Sequence, residues 1–149
     1  MTGPARAAFA KLLTPFAFVM TPNLYEAGEL AHMAVHNLET MKEAAVRIAG
    51  SGARAVLVKG GHLDMDAVDV LYWEGNFAFY RSPRINTVHT HGTGCTFSAC
   101  LTAELAKGVD LAEAVEIAKR FVTRAIETNP GLGKGSGPVN HHASLEDWK

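Results

Sequence analysis

Ala55-Val56-Leu57-Val58-Lys59-Gly60-Gly61 is a run of aliphatic and β-branched residues that stops at a lysine and two glycines. Such a run predicts a strand buried on both faces, as in a sheet covered by helices on each side. Upstream, Phe16 to Met20 is a second short apolar run that ends at Thr21-Pro22-Asn23, a strand delivering a turn at its carboxyl end. Between the two, a helix is expected to begin near Leu24. Another spans residues 39–48, with Met41, Ala44, Ala45 and Ile48 at helical spacing before Gly50-Ser51-Gly52 ends it. A short Ala-rich helix over residues 5–13, closed by Pro15, precedes them.

Downstream, residues 67–73 and 77–80 read as two strands joined through Glu74-Gly75-Asn76, an antiparallel hairpin. A polar loop over residues 82–91 leads to a helix of small residues that starts at Gly94 or Cys95 and stops at Gly108. Asp110 with Glu113 caps a last helix, residues 111–128. The order predicts an α/β fold with a largely parallel sheet, carrying a β-hairpin and flanked by helices. In such sheets ligands sit at the carboxyl ends of strands. Three places follow: Thr21-Pro22-Asn23, Lys59-Gly60-Gly61, and the loop into Cys95.

Composition narrows the function. The chain has 149 residues, the size of one typical domain with one core, 48% hydrophobic and 19% charged, with a formal net charge of -1. No basic field offers itself to nucleic acid or anionic lipid, and no apolar stretch is long enough for a membrane span. Arg6, Lys11, Pro4 and Pro15 break up the first twenty residues, so no signal-peptide layout is read there. Cys95 and Cys100 fall five apart on one expected helix, on different faces, which speaks for reduced thiols and a cytoplasmic protein.

Gly92-Thr93-Gly94-Cys95 opens that helix. Glycines allow close approach of the backbone, and unpaired amides at a helix start converge on an anion. A transferring phosphoryl group would be stabilised there, and Cys95 is the candidate acceptor of a proton from a substrate hydroxyl. The alternative is a tight turn followed by a structural cysteine. Lys59 could reach a nucleotide phosphate or simply leave the core for water. Asn23 and Glu26 could order magnesium-bound waters, or only cap a helix and complement its dipole. Gly131-Leu132-Gly133-Lys134-Gly135-Ser136-Gly137 lacks Walker A spacing and follows a helix, so it reads as a surface loop. His89 and His91, and His141 and His142, form two pairs with no third ligand at a recognisable metal spacing.

Several strings together resemble the hydroxymethylpyrimidine and phosphomethylpyrimidine kinases of thiamine biosynthesis, within the ribokinase-like superfamily. They are Thr21-Pro22-Asn23-Leu24-Tyr25-Glu26-Ala27, Ala55-Val56-Leu57-Val58-Lys59-Gly60-Gly61-His62 and Ala67-Val68-Asp69-Val70-Leu71-Tyr72. To these add Thr90-His91-Gly92-Thr93-Gly94-Cys95-Thr96, Ala118-Lys119 with Val122-Thr123, and Gly137-Pro138-Val139-Asn140-His141. The resemblance implies a ribokinase-like (Rossmann-like three-layer) fold and ATP-dependent phosphorylation of an aminopyrimidine alcohol and its monophosphate. It implies Gly92, Thr93 and Gly94 as an anion hole, Cys95 as the base, and Lys59 on the ATP phosphates. Asn23 and Glu26 would act on Mg²⁺ through water, with Lys119 and Val122 near the nucleotide.

Related kinases generally carry aspartate where this chain has Cys95, which points to the pyrimidine branch, a feature shared by some pyridoxal-phosphorylating relatives. The loop Asn86-Thr87-Val88-His89 departs from the family's pattern of Asp, Thr, a basic residue and Asn. The chain resembles the C-terminal half only; the N-terminal substrate-binding half, with its Ala-Gly-Ser-Asp-Ser segment, has no counterpart. Expected consequences are exposed apolar strand surface and a homo-oligomer or association with a missing N-terminal half. The competing readings are a nucleotide-binding or structural fragment without turnover, and a pyridoxal kinase relative.

Overall fold

The computed structural model describes residues 3–61 and 67–144, and for residues 3–7 the backbone only. The chain forms two compact units, Met1–Arg81 and Ser82–Lys149, where the sequence suggests a single core.

The first unit holds helix α1 (Gly3–Leu12), a 3-10 turn (Thr14–Phe16), strand β1 (Val19–Met20), helices α2 (Leu24–Ala31) and α3 (Leu38–Gly50), and strands β2 (Ala55–Val58), β3 (Ala67–Trp73) and β4 (Asn76–Ser82), the last ending one residue past the unit boundary. The four strands form one sheet in the order β1-β2-β3-β4. β1 runs parallel to β2, with Val19 beside Ala55 and Met20 beside Val56. β2 and β3 are antiparallel, from Ala55 opposite Trp73 to Val58 opposite Val70. The sheet is therefore mixed, and the expected parallel pairing is confined to β1 and β2. The reason is connection length. α2 and α3 supply a crossover between β1 and β2, whereas only residues 59–66 join β2 to β3, too few for one.

β3 and β4 form the expected hairpin, tighter than read. Its two loop residues, Glu74 and Gly75, both have positive φ, 49° and 79°. Two such residues make the mirror-image turn whose twist matches that of the strands.

α3 covers the sheet through the spacing seen in the sequence. Met41, Ala44, Ala45 and Ile48 are all buried and pack with Ala27 and Ala31 of α2 and with Val56, Val58 and Val70 of the sheet. Each large side chain buried here, Met41 or Ile48, contributes about 1.5–3 kcal/mol. All four residues of β2 are buried, as the opening run requires. Ahead of β1, by contrast, Leu12, Leu13, Phe16 and Phe18 are exposed, Phe16 to 87%.

The second unit is built on α4 (Thr93–Ala106) and α5 (Leu111–Glu127), which pack together. Leu111, Ala114, Val115, Ala118, Val122 and Ala125 form one buried stripe on α5, and α4 buries Phe97 and Leu101 one turn apart. Asp110 caps α5 as expected, its Oδ1 accepting the N–H groups of Ala112 and Glu113 at 3.0 and 3.2 Å. The glycine-rich residues 131–136 are exposed, and the chain then returns. His91 donates its N–H to Gly137 O at 3.0 Å, and Val139 donates to His91 O at 3.2 Å.

Among the described residues no helix is long and apolar enough to cross a membrane.

Candidate functional site

In the first unit, strand pairing brings two of the singled-out residues side by side. After β1 ends, Lys59 donates its N–H to Pro22 O at 2.8 Å, and Asn23 and Lys59 form an isolated parallel bridge. The turns at the carboxyl ends of β1 and β2 are thus held together, with Lys59 half-buried.

Asn23 is the N-cap of α2. Its Oδ1 accepts the N–H of Glu26 at 2.9 Å, and Glu26 Oε2 accepts the N–H of Asn23 at 2.8 Å. This reciprocal capping box satisfies two donors at the helix start and fixes the Glu26 carboxylate over it. Both readings from sequence survive, since Oε1 of Glu26 has no partner among the described residues. Asn23→Ala is expected to cost about 1 kcal/mol in urea unfolding, the usual value of a lost cap. Asn23→Asp, which keeps the acceptor, should sit much nearer the parent.

Just beyond Lys59, Gly60 donates its N–H to Oδ1 of Asp69 at 2.9 Å. Asp69 lies on β3 next to Val70, the last residue paired with β2, and is only 4% exposed. Sequence reasoning passes over its role, although a single carboxylate inside an otherwise hydrophobic strand was the available signal.

In the second unit the loop turns at Gly92, the N-cap of α4, whose φ of 88° lies in the left-handed region. Among the described residues a Cβ there would meet nothing closer than His141 Nε2 at 3.8 Å, so the backbone angles are the reason for glycine. Gly92 has no side chain to cap α4. Thr93 turns inward, donating both its N–H and its hydroxyl to Thr90 O, at 3.2 and 2.7 Å, and Thr96 N–H is taken by Gly92 O at 2.8 Å. The N–H groups of Gly94 and Cys95 have no acceptor among the described residues. Two adjacent free donors at the positive end of a helix are what an anion requires.

The two thiols differ. Cys95 is exposed at this turn, and neither cysteine is in a disulfide. Cys100 is half-buried further along α4, and its pKa is raised, chiefly by burial and then by the Glu104 charge, with Lys107 partly opposing. A shielded thiol is poorly placed to take a proton from a substrate, whereas Cys95 is open to one.

Lys119 and Val122 lie one turn apart on α5, exposed to 7% and 6%. His89 Nδ1 accepts the N–H of Gly137 at 3.2 Å, so this histidine secures the returning segment. Among the described residues, no three His, Cys, Asp or Glu side chains are grouped as a metal site would need.

The phosphomethylpyrimidine kinase family model matches residues 1–140. The chain belongs to the phosphomethylpyrimidine kinase family. It is 44% identical to a hydroxymethylpyrimidine/phosphomethylpyrimidine kinase of Bacillus subtilis over 139 residues, covering 92% of this chain and 51% of that relative. The chain thus spans about half the length of that kinase. Among solved structures it resembles an ADP complex of Bacillus subtilis pyridoxal kinase, with a TM-score of 0.92 and 43% identity, covering 96% of this chain and 57% of the other. It also resembles Staphylococcus aureus pyridoxal kinase in complex with AMP-PCP and pyridoxal, with a TM-score of 0.92 and 39% identity over 96% of this chain and 54% of that one. The α/β fold is accordingly ribokinase-like, as the resemblance implies.

Proposed function

We propose that residues 1–149 are the ATP-binding and catalytic C-terminal portion of a ribokinase-like kinase domain. The reaction is ATP-dependent phosphorylation of 4-amino-5-hydroxymethyl-2-methylpyrimidine, and then of its monophosphate, in thiamine biosynthesis. The observation that carries this reading is the start of α4, where Gly94 and Cys95 offer two unpaired N–H groups behind a left-handed Gly92. Membership of a family named for this substrate supports the choice of acceptor.

The tasks divide among the residues. Cys95 Sγ takes the proton from the hydroxymethyl group as its oxygen bonds to the terminal phosphorus of ATP and the bond to the bridging oxygen breaks, releasing ADP. In the turn formed by Gly92, Thr93, Gly94 and Cys95, the free N–H groups of Gly94 and Cys95 receive the negative charge spread over the phosphoryl oxygens. Lys59, at the end of β2, neutralises charge on the ATP phosphates. Asn23 and Glu26 would hold Mg²⁺ through its waters, and Oε1 of Glu26, left over by the capping box, fits that use. Mg²⁺ supplies charge neutralisation on the phosphates when bound. Lys119 and Val122 line the nucleotide from α5.

A second reading, with pyridoxal as acceptor, is favoured by the likeness to pyridoxal kinases at about 40% identity. The exposed Leu12, Leu13, Phe16 and Phe18 support a partner, either a second copy or a polypeptide that completes the fold. Two free cysteines suit a reducing cytoplasm.

The test is to incubate the purified chain with ATP, Mg²⁺ and hydroxymethylpyrimidine, follow ADP release, and repeat with pyridoxal. Faster release with the pyrimidine than with pyridoxal is expected. The reverse order replaces the acceptor. AMP-PCP binding by calorimetry without any release leaves a nucleotide-binding fragment, and neither binding nor release overturns the proposal.

A further inference from the structure

The antiparallel ladder between β2 and β3 stops at Val58 and Val70. Beyond it, β2 turns toward the other side: Lys59 gives its N–H to Pro22 O at 2.8 Å and sits beside Asn23. The next backbone donor, Gly60 N–H, is then stranded in the interior, where Gly60 is buried. No β3 carbonyl takes it. Asp69 Oδ1 takes it at 2.9 Å, from a side chain that is itself 4% exposed.

A buried carboxylate is costly to hold unless it is hydrogen-bonded, and a main-chain N–H is the partner that cannot swing away. Gly60 is equally fixed from the other side, since even a Cβ on it would lie 2.1 Å from Val68 O. Lys59 is therefore bracketed. Its own N–H is tied to Pro22 and the following peptide to Asp69, so the direction in which its side chain leaves the sheet is set at both ends.

We propose that Asp69 is a positioning residue, acting through the Gly60 amide to aim Lys59 at the nucleotide phosphates. The proposal rests on the phosphate role given to Lys59 above. Asp69 itself touches no substrate; its acceptor oxygen matters more than its charge.

The experiment is a double-mutant cycle read by titration calorimetry with AMP-PCP and Mg²⁺, with melting temperature recorded for each protein. Asp69→Ala is expected to weaken AMP-PCP binding about tenfold, comparable to Lys59→Ala, and to cause little further loss once Lys59 is already alanine, because coupled residues do not add. Asp69→Asn, which keeps an oxygen acceptor, should recover most of the affinity. A purely structural Asp69 would lower the melting temperature while leaving AMP-PCP affinity alone, or would weaken binding equally with and without Lys59, and either result overturns the proposal. If Asp69→Ala does not fold, Asp69→Glu, whose oxygen is displaced by one methylene, carries the same comparison. Unchanged affinity in Lys59→Ala, or no AMP-PCP binding by the parent chain, instead removes the role of Lys59 itself. Loss in Lys59→Ala with parent-like binding in the Asp69 variant sinks the positioning role alone.

Discussion

Cys95→Ala is expected to lower the rate of phosphoryl transfer about 10²–10⁴-fold, the range for losing a general base. AMP-PCP affinity should stay within about twofold, because an alanine keeps the backbone N–H and only the sulfur is gone. This split follows from Cys95 supplying two groups: a main-chain donor that any residue provides, and an exposed side chain at the start of α4. Cys100 cannot take over, being half-buried with its pKa raised. ADP release with hydroxymethylpyrimidine, measured alongside calorimetry, separates the two contributions. Parent-like ADP release by the alanine variant would remove Cys95 from proton transfer, and a parallel loss of affinity would mean that the substitution had disturbed the turn.

Gly60→Ala carries the largest expected effect on stability. The added methyl carbon would lie 2.1 Å from Val68 O and 3.0 Å from Met41 Cε. The Met41 side chain can move, but the carbonyl belongs to the residue before Asp69, so relief requires β2 and β3 to separate. That would also stretch the Gly60 bond to Asp69. A cost of about 3 kcal/mol, at the upper end for overpacking, is expected in urea unfolding. Gly61→Ala is the control, since a Cβ there meets nothing within 4 Å among the described residues. If the two variants unfold alike, the close approach at Gly60 has been misjudged.

Much of the fold was legible because its signals are local. The β2 run, the four-residue stripe on α3, the Asp110 cap and the glycine turn before Cys95 each lie within a few residues, where periodicity and capping rules operate. Strand direction was less so. The sheet became mixed through the short link between β2 and β3, a matter of connection length that hydrophobic patterning does not encode. Asn23 and Glu26 were readable as a pair, yet only coordinates reveal that one carboxylate oxygen closes the capping box. Asp69 escaped because its partner, Gly60, is nine residues away and is a backbone amide, which leaves no residue-type signature.

The same holds for residues 137–139, whose pairing with His89 and His91 joins positions up to 48 apart in the chain. That pairing has a consequence for the order in which the protein is made. During synthesis, α4 emerges well before the segment that flanks its leading turn. Until residue 137 has left the ribosome, His91 lacks its Gly137 acceptor and His89 the Gly137 amide, and the Val139 donor to His91 follows two residues later. A nascent chain halted within residues 131–136 therefore presents the helix without the braced approach to it, so the glycine turn matures late although its own residues come early.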